Sequence, residues 1–200
     1  MKHTLGIKSH ETVRYIAESA VMLALSIALS YIRLFPMPLG GSITPASMLP
    51  VLLIALRYGP RRGLPVAFLF SGFQLLQAVI DGDIFPYCET GLTVALCVFF
   101  DYLLPFTVLG LAGLAFQLMK KRTRAAAYIG TAAVILLRYA FHFVAGVAIW
   151  GQWAPEGMGA FLYSFLYQGA LFLPEVIITH VVSTVLYEVP AVKKLLAIEG

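Results

Sequence analysis

Apolar stretches long enough to cross a bilayer follow one another along the chain, separated by short connections of proline, glycine and charge. A bilayer core about 30 Å thick takes roughly 20 apolar residues as a helix. Six stretches approach that length: Tyr15 to Leu34, Thr44 to Tyr58, Gly63 to Ile80, Thr90 to Met119, Ala125 to Trp150 and Gly159 to Tyr187, the second short and the fourth long. Inside lipid every backbone polar group must be satisfied without water, so helices of this kind pack as a bundle. The pattern predicts an all-α integral membrane protein of six transmembrane helices. It forms one membrane domain over residues 1-200, with a polar lead at 1-14, the bundle at 15-187 and a tail at 188-200. The lead is too long and polar for a signal sequence, contains Glu11, and has no convincing cleavage site after the first run, so that run is read as a helix.

Within this pattern the polar positions are informative because they are few. Arg138, His142, Gly146 and Trp150 recur every four residues in the fifth stretch. At about 100° per residue such a series stays on one helix face. Ionisable groups in lipid pair with one another or line a cavity, so this face should meet a ligand or another helix. Asp101, in the outer half of the fourth stretch, needs a partner for the same reason. Arg138, His142 or a ligand bearing donors or positive charge could supply it. Tyr163, Tyr167 and Gln168 open the sixth stretch and face the same depth, and Trp150 and Trp153 mark its outer boundary. Aromatic faces, an imidazole, a carboxamide and a carboxylate together suit a flat, heteroaromatic, cationic solute.

Composition places the chain firmly in the membrane class: 60% of its 200 residues are hydrophobic and 12% charged. The charge, a net +4, is explained by its distribution. Lys2, Lys8 and Arg14 precede the first stretch, Arg57, Arg61 and Arg62 follow the second, Lys120, Lys121, Arg122 and Arg124 follow the fourth, and Lys193 and Lys194 follow the sixth. By the positive-inside rule these alternate connections and both termini are cytoplasmic. No basic tract remains to argue for nucleic acid. The opposite connections carry Asp81, Asp83, Glu89 and Glu156 with proline and glycine, as expected for loops around an outward-facing binding surface.

Other chemistry is poorly supported. His142 shares no metal-ligand spacing with a second His or Cys. Cys88 and Cys97, placed on one helix, would stand about 13 Å apart, too far for a disulfide. Hydrolase, zinc-protease and nucleotide-binding motifs are missing, so no catalytic residue is assigned; an intramembrane enzyme using His142 and Asp101 is the rival from another class. Ala20, Ala24 and Ala28 form a small-residue series on the first helix, suited either to internal packing or to docking of a partner helix.

The run Leu137-Arg138-Tyr139-Ala140-Phe141-His142-Phe143-Val144-Ala145-Gly146-Val147, continuing to Trp150-Gly151 and Ala154-Pro155, resembles the thiamine-specific S component (ThiT/YuaJ family) of energy-coupling factor (ECF) transporters. Pro38-Leu39-Gly40-Gly41-Ser42-Ile43, Asp101-Tyr102 with Phe106 and Gly110-Leu111-Ala112-Gly113, and Tyr163-Ser164 with Tyr167-Gln168 extend the likeness over nearly the whole chain. The resemblance implies a six-helix subunit of the cell membrane that captures thiamine outside and delivers it inward with a membrane coupling (T) subunit and two cytoplasmic ATPases, without hydrolysing ATP itself. It also implies that Trp150 and His142 stack on the ligand rings and that Asp101 and the Tyr163 hydroxyl bond the aminopyrimidine. Tyr102 and Gln168 would complete the polar wall, Gly146 would allow close approach, and the loop with Pro38, Gly40, Gly41 and Ser42 would act as a lid. Ala20 and Ala24 match the motif that docks the coupling subunit. Asp101 and Gln168 stand where some members have Glu and Asn, and tryptophans found in the first half of some members are missing. The same architecture binding a thiamine precursor or another small heteroaromatic vitamin is therefore the alternative.

Overall fold

The computed structural model describes residues 2–36, 41–84 and 86–198, with residues 2–9 and 36 described by backbone alone. Helix α1 spans Lys2–Ser30 and is followed by two short antiparallel strands, β1 (Phe35–Pro36) and β2 (Ser42–Ile43). Helices α2 (Leu49–Tyr58) and α3 (Pro60–Asp81) come next. The fourth span, α4, covers Gly91–Leu118; α5 covers Arg124–Ala148, α6 Ala160–Glu188 and the short α7 Pro190–Leu196. Observed and expected boundaries of the third to sixth stretches agree within three residues. The polar lead differs, being helical from Lys2 and continuous with α1.

Five of these helices are long and apolar enough to cross a membrane; α2 and the short α7 are not. Its ten residues rise only about 15 Å, half a bilayer. Eight of them, Leu49 to Leu56, are buried. The stretch Thr44 to Tyr58 is thus a turn followed by a short enclosed helix, where a membrane span was expected. Proline at position 50 starts the helix where its missing N–H costs nothing, and Ala46 in the preceding turn has a φ of 59° that no helix continues through. A helix apolar all round belongs inside the protein. Here α2 forms the centre of the main core, with Phe70 of α3, Phe106 and Leu109 of α4, and Tyr187 of α6 around it.

The outer helices invert the pattern of a soluble bundle. Every buried residue of α6 is polar: Ser164, Gln168, Glu175, Thr179, Ser183 and Tyr187, while Phe161, Leu173, Ile177, Val181 and Val185 are more than half exposed. Lipid covers such surfaces at no cost, so interior positions are free to hold small and polar groups. Close crossings exploit this. At Gly63 of α3 a Cβ would come within 2.5 Å of the Gly110 carbonyl of α4, so the two backbones touch there.

The two ends of the bundle are chemically distinct. At one, Arg122 donates to the carbonyls of Leu56 (2.9 Å) and Leu196 (2.8 Å), tying α7 and the end of α2 together. Tyr15 donates to the Arg62 carbonyl, Glu18 pairs with Arg57, and Arg124 and Lys193 pair with Glu188. The basic residues of the alternate connections are therefore gathered at one end of the molecule. The last turn of α1, the ends of α3 and α5 and the beginnings of α4 and α6 meet at the other.

Candidate ligand-binding site

A cavity of about 140 Å³ opens at this second end. The fourth span brings Asp101 and Tyr102 to it through a local change of helix type. Residues Val98–Leu103 form a π-helical turn, closed by the Leu104 N–H donating to the Phe99 carbonyl five residues back. Pro105 gives the physical reason: its nitrogen cannot donate to the Asp101 carbonyl, and its ring would press on that carbonyl in a regular helix. The widened turn relieves the clash. It also turns the two adjacent side chains, Asp101 and Tyr102, toward the same cavity.

Asp101 is 6% exposed, and each of its carboxylate oxygens has a partner. Its Oδ1 lies 3.0 Å from His142 Nδ1, and its Oδ2 accepts a 2.7 Å bond from Trp150 Nε1. The imidazole and the indole come from α5 and from the 3-10 turn Trp150–Trp153 that ends it. Of the partners open to Asp101 from sequence, His142 is the one found. Arg138 bonds Glu175 of α6 instead, one turn deeper, and lays its guanidinium 4.6 Å from the centre of the Phe106 ring. Phe106 in turn meets the His142 ring edge-on at 6.2 Å. Charge and ring contacts thus continue from Trp150 to the cavity floor.

Four of the seven expected ligand residues from the fourth to sixth spans behave as one group: Asp101, Tyr102, His142 and Trp150 all line the cavity. Gln168 lines it too, at 8% exposure. Gly146 does not. A Cβ there would fall 2.1 Å from Ser164 Oγ, which donates a 2.9 Å bond to the Phe143 carbonyl, so this glycine admits α6 and not a ligand. Tyr163 stands beside the cavity, tilted against Tyr167 at 5.6 Å and packed with Trp150 in a second apolar cluster. Gly41 and Ser42 line the cavity; Pro38 and Gly40 lie outside the described residues. Ala20, Ala24 and Ala28 are exposed, whereas Ser19, Ser26 and Ser30 of α1 are buried, so the alanine series faces away from the chain's own core. Cys88 precedes α4 and does not lie on it, and both cysteines are buried and free in the apolar cluster behind Trp150.

Several cavity residues were missed from sequence. Glu175 is the foremost, and its signal was available as the one carboxylate in the apolar run from Ala160 to Tyr187. Gln74 and Gln77 of α3 also line the cavity, Gln77 accepting a 3.0 Å bond from Ser30 of α1. At the mouth Arg33 pairs with Asp81. Burial raises the carboxyl of neighbouring Asp83 above the usual range; Arg33 opposes the rise and Asp81 adds to it. Four carboxylates (Asp81, Asp83, Asp101, Glu175) and two guanidinium groups (Arg33, Arg138) border the space, with Tyr102, Phe106, Tyr139, Trp150, Tyr167 and Phe172 as its ring surfaces. The excess of acid favours a cation. Among the described residues no cluster of three or more His, Cys, Asp or Glu is placed to hold a metal ion.

Residues 16–194 match the sequence pattern of the family described as thiamine transporter protein (Thia_YuaJ). The chain belongs to the thiamine transporter family. It is 29% identical over 190 residues to the thiamine transporter ThiT of Bacillus subtilis, covering 90% of this chain and 93% of the relative. The thiamine transporter ThiT of Lacticaseibacillus paracasei is 28% identical over 193 residues, covering 92% and 91%. The solved structure of ThiT from Listeria monocytogenes superposes with a TM-score of 0.68 at 24% identity, over 93% of this chain and 98% of that one, and so has the same fold. The family is one of transporters, and the five long apolar helices accord with a membrane protein.

Proposed function

We propose that the chain is the thiamine-binding S component of an ECF-type importer, which captures thiamine outside and passes it inward when joined to a membrane coupling subunit and two ATPases. The observation that carries this reading is the buried carboxylate of Asp101, held between His142 and Trp150 on the wall of an acidic, ring-lined cavity. Thiamine is a cation built of two flat rings joined by a methylene, one of them an aminopyrimidine with an amine donor. Asp101 would accept from that amine, Trp150 and His142 would supply ring faces, and Tyr102 and Gln168 would close the polar wall. Tyr163 would join them only if its ring turned from Tyr167 toward the cavity. The grouping of the basic residues at the far end supports a cavity that faces outward. The outward-turned Ala20, Ala24 and Ala28 support docking of the coupling subunit on α1. Gly41 and Ser42, which line the cavity, would cover the bound vitamin.

Titration of the purified chain with thiamine, read by calorimetry and by Trp150 and Trp153 fluorescence, tests the proposal. Saturable binding of whole thiamine, with the isolated pyrimidine and thiazole halves binding more weakly, is the expected result. Folded protein that ignores thiamine in both measurements overturns it, and preference for the pyrimidine half would move the assignment to a precursor.

A further inference from the structure

Glu175 does more than neutralise Arg138. While Oε2 accepts from Arg138, Oε1 accepts a 3.3 Å bond from the Thr44 hydroxyl, 131 residues away in sequence. Thr44 also shares a 2.7 Å bond with Ser47 across the turn that leads from β2 into α2. Between these two residues lies Ala46, with its φ of 59° and only 4% of its surface exposed. The left-handed region is unfavourable for an L-residue, and such a residue persists only where its surroundings fix it. Gly41, Ser42, Thr44 and Ser47 of this segment form one wall of the cavity. One edge of the wall is held by the pairing of β1 with β2 and by the 2.9 Å bond from Leu34 N to the Ile43 carbonyl. At the other edge Thr44 bonds Glu175, and Met48 Sδ accepts from Arg138.

We propose that Glu175 is a positioning residue for ligand retention: through Thr44 it pins the strained turn, and with it one cavity wall, against α6, and so sets how long a bound cation remains. The inference rests on the thiamine-binding reading above. Glu175 is suited to the task because its two oxygens are divided between Arg138 on α5 and Thr44 on the wall. Arg138 also donates to Met48 Sδ at 3.1 Å, so the same guanidinium meets both Glu175 and the end of the turn. Removing the hydroxyl of Thr44 cuts the direct tie of the wall to α6 while leaving the Arg138–Glu175 pair intact.

The test is stopped-flow binding of thiamine to the purified full chain and to Thr44→Val, Thr44→Ser, Glu175→Gln and the Thr44→Val/Glu175→Gln double variant, with thermal unfolding of each measured without ligand. A charge-assisted hydrogen bond of this kind corresponds to about a tenfold effect. Thr44→Val is expected to release thiamine about tenfold faster with association changed by less than about twofold, since changes within one site act mainly on dissociation. Thr44→Ser, which keeps the hydroxyl, should restore the native rate. In the Glu175→Gln background Thr44→Val should add little, because the two act through one bond. Unchanged dissociation in Thr44→Val, or independent effects in the double variant, overturns the inference alone. If the native chain does not bind thiamine, the proposed function falls and this inference with it. Should Glu175→Gln fail to fold, the contrast between valine and serine at position 44 still decides.

Discussion

Asp101 carries the heaviest responsibility of any single side chain. Its two oxygens are already occupied by ring nitrogens of His142 and Trp150, so the empty site is held in shape before a ligand arrives. Asp101→Asn keeps the size of the side chain but removes the charge that an incoming cation would meet. Thiamine affinity measured by calorimetry should fall at least about tenfold, by analogy with other charge-assisted bonds, while the helical content stays native. Trp150→Phe removes the indole N–H as well as fluorescence at the site; an affinity loss there should be smaller than for Asp101→Asn and should not add fully to it. Tyr163→Phe is expected to matter least of the three, because the Tyr163 ring already rests on Tyr167 and lines no part of the cavity. An effect as large as that of Asp101→Asn would show that the ring turns inward on binding.

At the scale of the helices, two local features decide how these residues meet. The first is the contact of α5 with α6 at Gly146. Placing a methyl 2.1 Å from Ser164 Oγ forces the helices apart, and overpacking of this type costs about 1–3 kcal/mol. Gly146→Ala should lower the thermal midpoint, and Ser164→Gly in the same chain should recover most of the loss. Recovery would establish that this glycine serves packing. The second feature is the π turn. Pro105→Ala returns an N–H to the helix and lets the ladder close as a regular α-helix. Stability should then hold or rise while thiamine affinity drops, because Asp101 and Tyr102 would no longer point the same way. Of these two features the sequence revealed only part. The four-residue spacing put Gly146 on the right face, but spacing cannot say whether a ligand or a neighbouring serine fills the room above a glycine. Pro105 was visible four residues after Asp101, yet a proline in an apolar run reads as a kink, a break or a wide turn until the neighbouring helices are known.

For the molecule as a whole, hydropathy located five spanning helices to within a few residues, because lipid imposes the length of a span and tolerates few charges. At Thr44 to Tyr58 it located an apolar helix but not its length, since the surroundings there are protein and the length rule has no force. The pairing of Arg138 with Glu175 and of Asp101 with His142 was beyond reach for a related reason: the partners lie 37 and 41 residues apart, and helix order fixes no azimuth. Basic residues, by contrast, declared their common end from the sequence alone, and the contacts of Arg122, Arg124 and Lys193 bring them together there. The exposed alanine face of α1 belongs to the same scale. Ala24→Trp should leave thiamine binding by the isolated chain unchanged and reduce uptake by the assembled transporter, as measured with radiolabelled vitamin in vesicles. Loss of binding by the isolated chain would instead tie that face to its own fold.

The π turn also determines which kinds of sequence change this region can survive. Exchange is open to it only away from Asp101, Tyr102 and the following Pro105, and the count of residues matters as well, for the turn holds one residue more than an α-helical turn requires. Removing any one residue between Val98 and Leu103 would close the ladder and swing the segment Gly91–Cys97 by about 100° relative to the inner half of the same span. Tyr87 and Cys97, which back Trp150, would be carried away from it. What this stretch must conserve over evolutionary time is therefore its length as well as a few of its side chains: at Val98, Phe99 and Phe100 drift by substitution is open where drift by deletion is closed.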